Sequence, residues 1–259
     1  GTPDGWATGL TICETPNDVW DSLILPTSQL TQLSTIARVA AMPQPSRSLV
    51  LFHGEAGTGK TQAARILAAK LQLPLITLDL SQLTDSRIET LLDELASLPS
   101  GVLVVESAHH WLGRNPALEP NVIHQLVSQI RRSCAESPDN PQPGLVILTT
   151  HYLQTIRPSW QQQLEAMIEF PRPDEAARKA LWRQAVPKAL SKDRHLSWTQ
   201  LARQLPLTGG EITTLAQTAV GLARQVDPPV LTAGCIQQAL ALHHPTKTFK
   251  TTKSNPSKR

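Results

Sequence analysis

One run of eight residues constrains this chain more than any other: Gly54-Glu55-Ala56-Gly57-Thr58-Gly59-Lys60-Thr61. Glycines at the first, fourth and sixth places permit a tight turn whose successive backbone N–H groups point inward around a phosphate chain. A helix opening directly after the turn adds the positive end of its dipole. Lys60 then reaches the β and γ phosphates as a point charge, and the Thr61 hydroxyl is placed to coordinate Mg²⁺. The run follows the short apolar stretch Leu49-Val50-Leu51-Phe52, read as a buried strand, and precedes a helical stretch from Gln62 to Leu71. Strand, turn and helix in that order are the context such a run requires. The expected ligand is therefore ATP, or another nucleoside triphosphate, with Mg²⁺.

The remaining pattern repeats that alternation. Ser28 to Ala41 has helical spacing of Leu30, Leu33, Ile36, Ala37 and Ala40. Strands are expected near Leu75 to Leu78, Val102 to Val105, Leu145 to Leu148 and Met167 to Phe170, with helices near Asp85 to Ala96, Val122 to Arg132 and Trp160 between them. Continuous apolar strands separated by helices predict a parallel sheet covered on both faces, a three-layer α/β/α fold. After Pro171-Arg172-Pro173 the strand signals stop, and helices are expected near Asp174 to Ala185, Trp198 to Gln204, Gly210 to Gln225 and Thr232 to His243. The organisation predicted is an irregular lead-in over 1–20, a nucleotide-binding α/β domain over 21–171, a small helical lid over 172–244 and a basic disordered tail over 245–259. A length of 259 residues suits one large domain with an appendage.

Composition narrows the rest. Apolar residues make up 40% and charged residues 17%, and no stretch approaches the ~18 uninterrupted apolar residues of a spanning helix, so no membrane span is expected. Cys13, Cys134 and Cys235 show no paired or metal-ligand spacing, so neither a disulfide framework nor a zinc site is expected, and the cytoplasm is the expected compartment. The opening Gly1-Thr2-Pro3-Asp4, without Met or a leader, reads as an excised or processed fragment. The net charge of +3 comes largely from Lys247, Lys250, Lys253, Lys258 and Arg259, a solvated tail or else a contact for nucleic acid or an acidic partner. His109-His110 lack a third ligand at metal spacing and read as loop histidines. Trp111, Trp160, Trp182 and Trp198 read as core or interface packing rather than base-stacking platforms.

The order of phosphate loop, strand with an acidic end, strand ending in Thr-Thr and helical lid resembles the AAA+ ATPases. A narrower likeness, to the bacterial AAA+ proteins associated with contractile injection systems, lies in Asp21-Ser22-Leu23-Ile24-Leu25-Pro26, in Ile168-Glu169-Phe170-Pro171-Arg172-Pro173-Asp174-Glu175 with Trp182-Arg183, and in Leu207-Thr208-Gly209-Gly210-Glu211-Ile212. The resemblance covers about residues 17–243. It implies ring assembly with like or unlike subunits, ATP or ADP as ligand, and a protein partner.

The resemblance also exposes departures. Relatives end the third strand in Asp-Glu, the Asp assisting Mg²⁺ and the Glu polarising water; here stands Glu106-Ser107. Glu106 is the metal-assisting carboxylate if Ala108 falls on the family's Ala, and the catalytic carboxylate if the register shifts by one. His151, after Thr149-Thr150, takes the place of a sensor Asn. Gln162 and Gln163 stand where relatives carry finger arginines, Thr213 where the lid offers a basic sensor, and Ser81-Gln82-Leu83-Thr84-Asp85 where an aromatic pore loop is usual. Arg131, Arg132 and Arg172 read as surface charges, with one of them as the alternative to replace a finger in a ring. The expectation is an ATP-binding module whose hydrolysis is slow or absent; the alternatives are an active remodelling ATPase and a nucleic-acid-linked adaptor.

Overall fold

The computed structural model describes residues 9–42, 46–79, 87–116, 118–132 and 144–250. The Ser81 to Asp85 stretch, Cys134 and the basic residues beyond Lys250 lie outside the described residues. Contacts divide the chain into two compact units, residues 1–55 with 59–171 and residues 56–58 with 172–259.

The first unit is built on a six-stranded sheet. In chain order its strands are β1 (Leu10–Cys13), β2 (Ser48–His53), β3 (Leu75–Asp79), β4 (Val102–Glu106), β5 (Leu145–Thr150) and β6 (Ala166–Glu169), and their spatial order is β1-β3-β4-β5-β2-β6. Strands β3, β4, β5, β2 and β6 run parallel. Side chains alternate across a strand, so each apolar strand feeds two cores. Leu49 and Leu51 pack on one face with Ile76, Leu103 and Val146, while Val50 and Phe52 pack on the other with Leu75, Val104 and Ile147. The first face is covered by α3 (Ile88–Ala96) and α5 (Pro120–Arg132), the second by α1 (Thr27–Ala40) and α2 (Lys60–Leu71). Ala63, Ala64 and Ala68 are fully buried on α2, and their small side chains bring that helix close to the sheet. Short helices α4 (His109–Leu112) and α6 (Pro158–Gln161) complete the unit.

Sequence reasoning treated the first 20 residues as irregular, and here the structure differs. β1 pairs antiparallel with β3, Leu10 opposite Leu78 and Cys13 opposite Leu75. The chain then passes over α2, where Asp18 pairs with Arg65 at 2.8 Å and Lys70 lies 4.4 Å above the Trp20 ring. Four residues with one buried side chain, Leu10, carry too little periodicity to announce an edge strand.

The second unit holds α7 (Glu175–Ala185), α8 (Trp198–Gln204), α9 (Gly209–Ala223) and α10 (Ala233–His243). Their starts are set by local chemistry: the Asp174 carboxylate accepts from Ala177 N at 2.7 Å, and Thr208 with Glu211 forms a reciprocal capping box. Trp182, fully buried, centres the core with Leu201, Leu215, Ile236 and Leu240. Strands were not expected here, yet β7 (Ser191–Lys192) pairs in parallel with β8 (Val230–Leu231). Phe249 is also fully buried in this core, so residues 245–250 are part of the helical unit rather than the start of a tail. Trp111 and Trp160 are buried and Trp198 half-buried, which agrees with packing roles. Among the described residues no helix is long and apolar enough to cross a membrane.

Candidate phosphate-binding site

β2 ends at His53 and α2 begins at Lys60, so the glycine run Gly54 to Gly59 is the turn between a buried strand and a buried helix. All three of its glycines have positive φ, and the two at its ends show why glycine is needed there. Gly54 has φ +146°, and a Cβ there would lie 2.3 Å from the Phe170 carbonyl oxygen. Gly59, at φ +106°, caps α2, and a Cβ there would meet nothing within 4 Å. The backbone approaches Phe170 closely at one end of the turn and borders open space at the other.

That open side faces a helix start with no side-chain cap and no acidic residue in its first turn. Uncapped first-turn N–H groups attract an anion, and a carboxylate placed there would have repelled one. Lys60, half-buried, donates from Nζ to the Gly54 carbonyl at 2.5 Å and to the Glu55 carbonyl at 2.7 Å. Burial lowers its pKa from the ordinary lysine value, and the Glu55 charge partly opposes this. The ammonium is therefore held at the loop itself. Thr61 is exposed on the following helical position. The Gly57 carbonyl accepts from Gly210 N at 2.8 Å, a bond internal to the unit that groups residues 56–58 with the helical segment. An open-sided glycine turn, an uncapped helix start, a positioned ammonium and an exposed hydroxyl fit a triphosphate with Mg²⁺; residues 54–61 would hold the phosphates and Thr61 the metal.

Strand order fixes what stands beside the loop. β5 lies next to β2 and β4 next to β5, so Thr150 and then Glu106 border the loop along the C-terminal edge of the sheet. At about 4.8 Å per strand, Glu106 is roughly 10 Å from the end of β2. It is half-buried and in register with Asp79 on β3. Ser107 follows with φ +57°, a left-handed conformation uncommon outside glycine and asparagine, and the Ala108 N–H ties the turn to Thr149 O at 2.9 Å. The strand end is thus pinned, while its side chain at 107 is a hydroxymethyl group.

His151 is exposed just past Thr150 and meets Tyr152 edge-on with ring centroids 6.3 Å apart. Gln162 and Gln163 are exposed after α6, and Thr213 donates to its own helix at Gly209 O, 2.9 Å away. Arg131 is ion-paired with Glu165. Among the described residues no group of three His, Cys, Asp or Glu is arranged to hold a metal. An open cavity of about 380 Å³, lined by His109, Gly113, Arg114, Asn115, Gln154 and Thr155, shares no residue with the glycine loop.

Sequence reasoning missed His53 and Glu169. His53 ends β2 between Thr150 on β5 and Glu169 on β6. Burial depresses its pKa most; Glu169 raises it and Lys60 lowers it further. Its signal was its place as the last strand residue before Gly54.

Comparison with known proteins adds family and fold. Residues 50–172 match the family described as ATPase family associated with various cellular activities (AAA). Over 93% of this chain and 89% of the other, the fold is similar to a solved structure from a study of the structural basis for katanin self-assembly, with a TM-score of 0.66 and 17% identity. At that identity the likeness speaks for fold, and the fold is that of the AAA+ P-loop NTPases. A search of curated proteins by sequence finds no match.

Proposed function

We propose that this chain binds ATP with Mg²⁺ at residues 54–61 and uses the bound nucleotide for assembly or switching, with hydrolysis slow or absent. The observation that carries the binding half is the uncapped start of α2 beside the Lys60 ammonium. Lys60 exchanges its two loop carbonyls for phosphate oxygens, and the first-turn N–H groups complete the cradle. Mg²⁺, when bound, neutralises phosphate charge and orients the chain; Thr61 and, through water, Glu106 are its expected partners.

Slow turnover follows from four side chains. Ser107 carries no basic oxygen at the position where relatives polarise water, Gln162 and Gln163 carry no charge for a neighbour's phosphate, and Thr213 is spent on its own helix. Loss of a general base typically costs about 10² to 10⁴ in rate, and loss of a finger about 10³ to 10⁵. Self-association is proposed by analogy with the katanin study, and a role beside contractile injection systems by the sequence motifs alone. Solution mass with and without ATP and Mg²⁺ tests the assembly half: a nucleotide-dependent rise supports it, and an unchanged monomer removes it.

A second reading draws on the half-buried Glu106 at the end of β4, a carboxylate separated from the loop-bearing strand β2 by β5 alone. In it Glu106 is the catalytic base of an active ATPase. Glu106→Gln separates the two: trapping of ATP with loss of measurable turnover supports the active reading, and weakened Mg²⁺ dependence supports the metal-assisting role.

A further inference from the structure

We propose that residues 244–250 are a detachable strap that latches the helical unit, with Phe249 as its plug. α10 closes with His244 N on Leu240 O at 2.7 Å, and a turn through Pro245 and Thr246, closed by Lys247 N on His244 O at 2.9 Å, sends the chain back across the unit. The strap then touches three helices. Gln237 on α10 donates to the Phe249 carbonyl at 2.7 Å, and Gln204 on α8 bonds Lys250 in both directions, donating to its carbonyl at 2.8 Å and accepting from its N–H at 2.9 Å. At the start of α9, His244 Nε2 lies 3.8 Å from the Glu211 carboxylate.

Paired amide bonds of this kind imitate a strand pairing, but they are made by side chains on exposed helix positions, where water competes with them. The firm part of the contact is a single aromatic ring, fully buried in the same core as Leu201, Leu205, Ile236 and Leu240. One apolar plug flanked by water-accessible polar bonds is the composition of a latch that opens locally, without unfolding the helices it spans. Opening uncovers the apolar seat between α8 and α10. The residues on either side of the plug, Lys247 and Lys250, keep the strap soluble when it is out. This device is independent of nucleotide binding and stands or falls without it.

Hydrogen exchange on the full-length chain tests the latch. Phe249→Ala is expected to raise exchange about 100-fold in α8, α10 and the strap, the consequence of losing a buried aromatic side chain, while the strands of the sheet exchange as before. A fluorescent peptide of residues 245–259 is expected to bind the Phe249→Ala chain and not the wild type, because only the variant leaves the seat open. Should Phe249→Ala disturb the whole fold, Gln204→Ala decides instead: it removes both Lys250 bonds from an exposed position and should raise exchange in the strap alone. Unchanged exchange in Gln204→Ala, or peptide binding equal in wild type and Phe249→Ala, overturns the proposal.

Discussion

Replacing Lys60 with alanine removes a side-chain charge that the loop holds in place by bonds to its own carbonyls, at 2.5 Å from Gly54 O and 2.7 Å from Glu55 O. When a phosphate arrives, the ammonium trades dipolar partners for an anionic one. A hydrogen bond to a charged group contributes about 1.5 to 3 kcal/mol net. Because burial already lowers the Lys60 pKa, part of its desolvation has taken place before the ligand binds, which favours the upper part of that range. The expected loss is about 2 to 3 kcal/mol, or roughly 30- to 150-fold in affinity. Binding is weakened rather than abolished, since the first-turn N–H groups remain. Folding should be little changed: alanine is a strong helix former, and water can reach the half-exposed carbonyls that the ammonium leaves. Isothermal titration of ATP with Mg²⁺ into wild type and Lys60→Ala measures the difference, with circular dichroism as the control. Equal affinity in two equally folded proteins would refute the reasoning, because the ligand would then be held elsewhere.

Three further outcomes follow from the same geometry. Gly54→Ala, which would put a Cβ 2.3 Å from Phe170 O, should destabilise the first unit by at least about 2 kcal/mol in urea unfolding; an unchanged midpoint contradicts the close approach. Thr208→Ala removes one half of the α9 capping box and should cost about 1 kcal/mol, read as a lower thermal midpoint. His53 has a folded pKa below its ordinary value of 6.5, so the unfolded chain takes up the proton first as the pH falls. Its contribution is intact above about pH 6.5 and is lost as the pH drops through the folded pKa; His53→Gln should therefore show a shallower decline in thermal midpoint between pH 7 and 5, and identical slopes would contradict this.

The parts of this fold that were legible in the sequence are those where many residues repeat one instruction. β2 and β5 are continuous apolar runs because both faces are covered, and α9 announces itself through the Thr208 to Glu211 box. The glycine loop was legible as a turn between strand and helix because its glycines fall where the backbone needs positive φ. What escaped detection depends on single contacts made across long sequence separations. β1 is an edge strand of four residues whose pairing with β3 decides its conformation, and nothing local distinguishes it from a loop. Phe249 stands alone among lysines and threonines, so its neighbourhood reads as a solvated tail until Gln204, 46 residues away in sequence, is seen to hold Lys250. His53 was hidden for a different reason: its environment is set first by burial and then by Glu169 on β6, which only strand order brings beside it.

The sharpest test of the whole account is steady-state phosphate release at saturating ATP and Mg²⁺, followed across protein concentrations high enough to permit assembly. A typical enzyme turns over about 10 times per second, and removal of the water-activating carboxylate alone lowers that at least about 100-fold. If Ser107 stands at the water-activating position and Gln162 and Gln163 at the finger position, as proposed, release at or below about 0.1 per second is expected at every concentration. Release of several per second, abolished by Lys60→Ala, would contradict it.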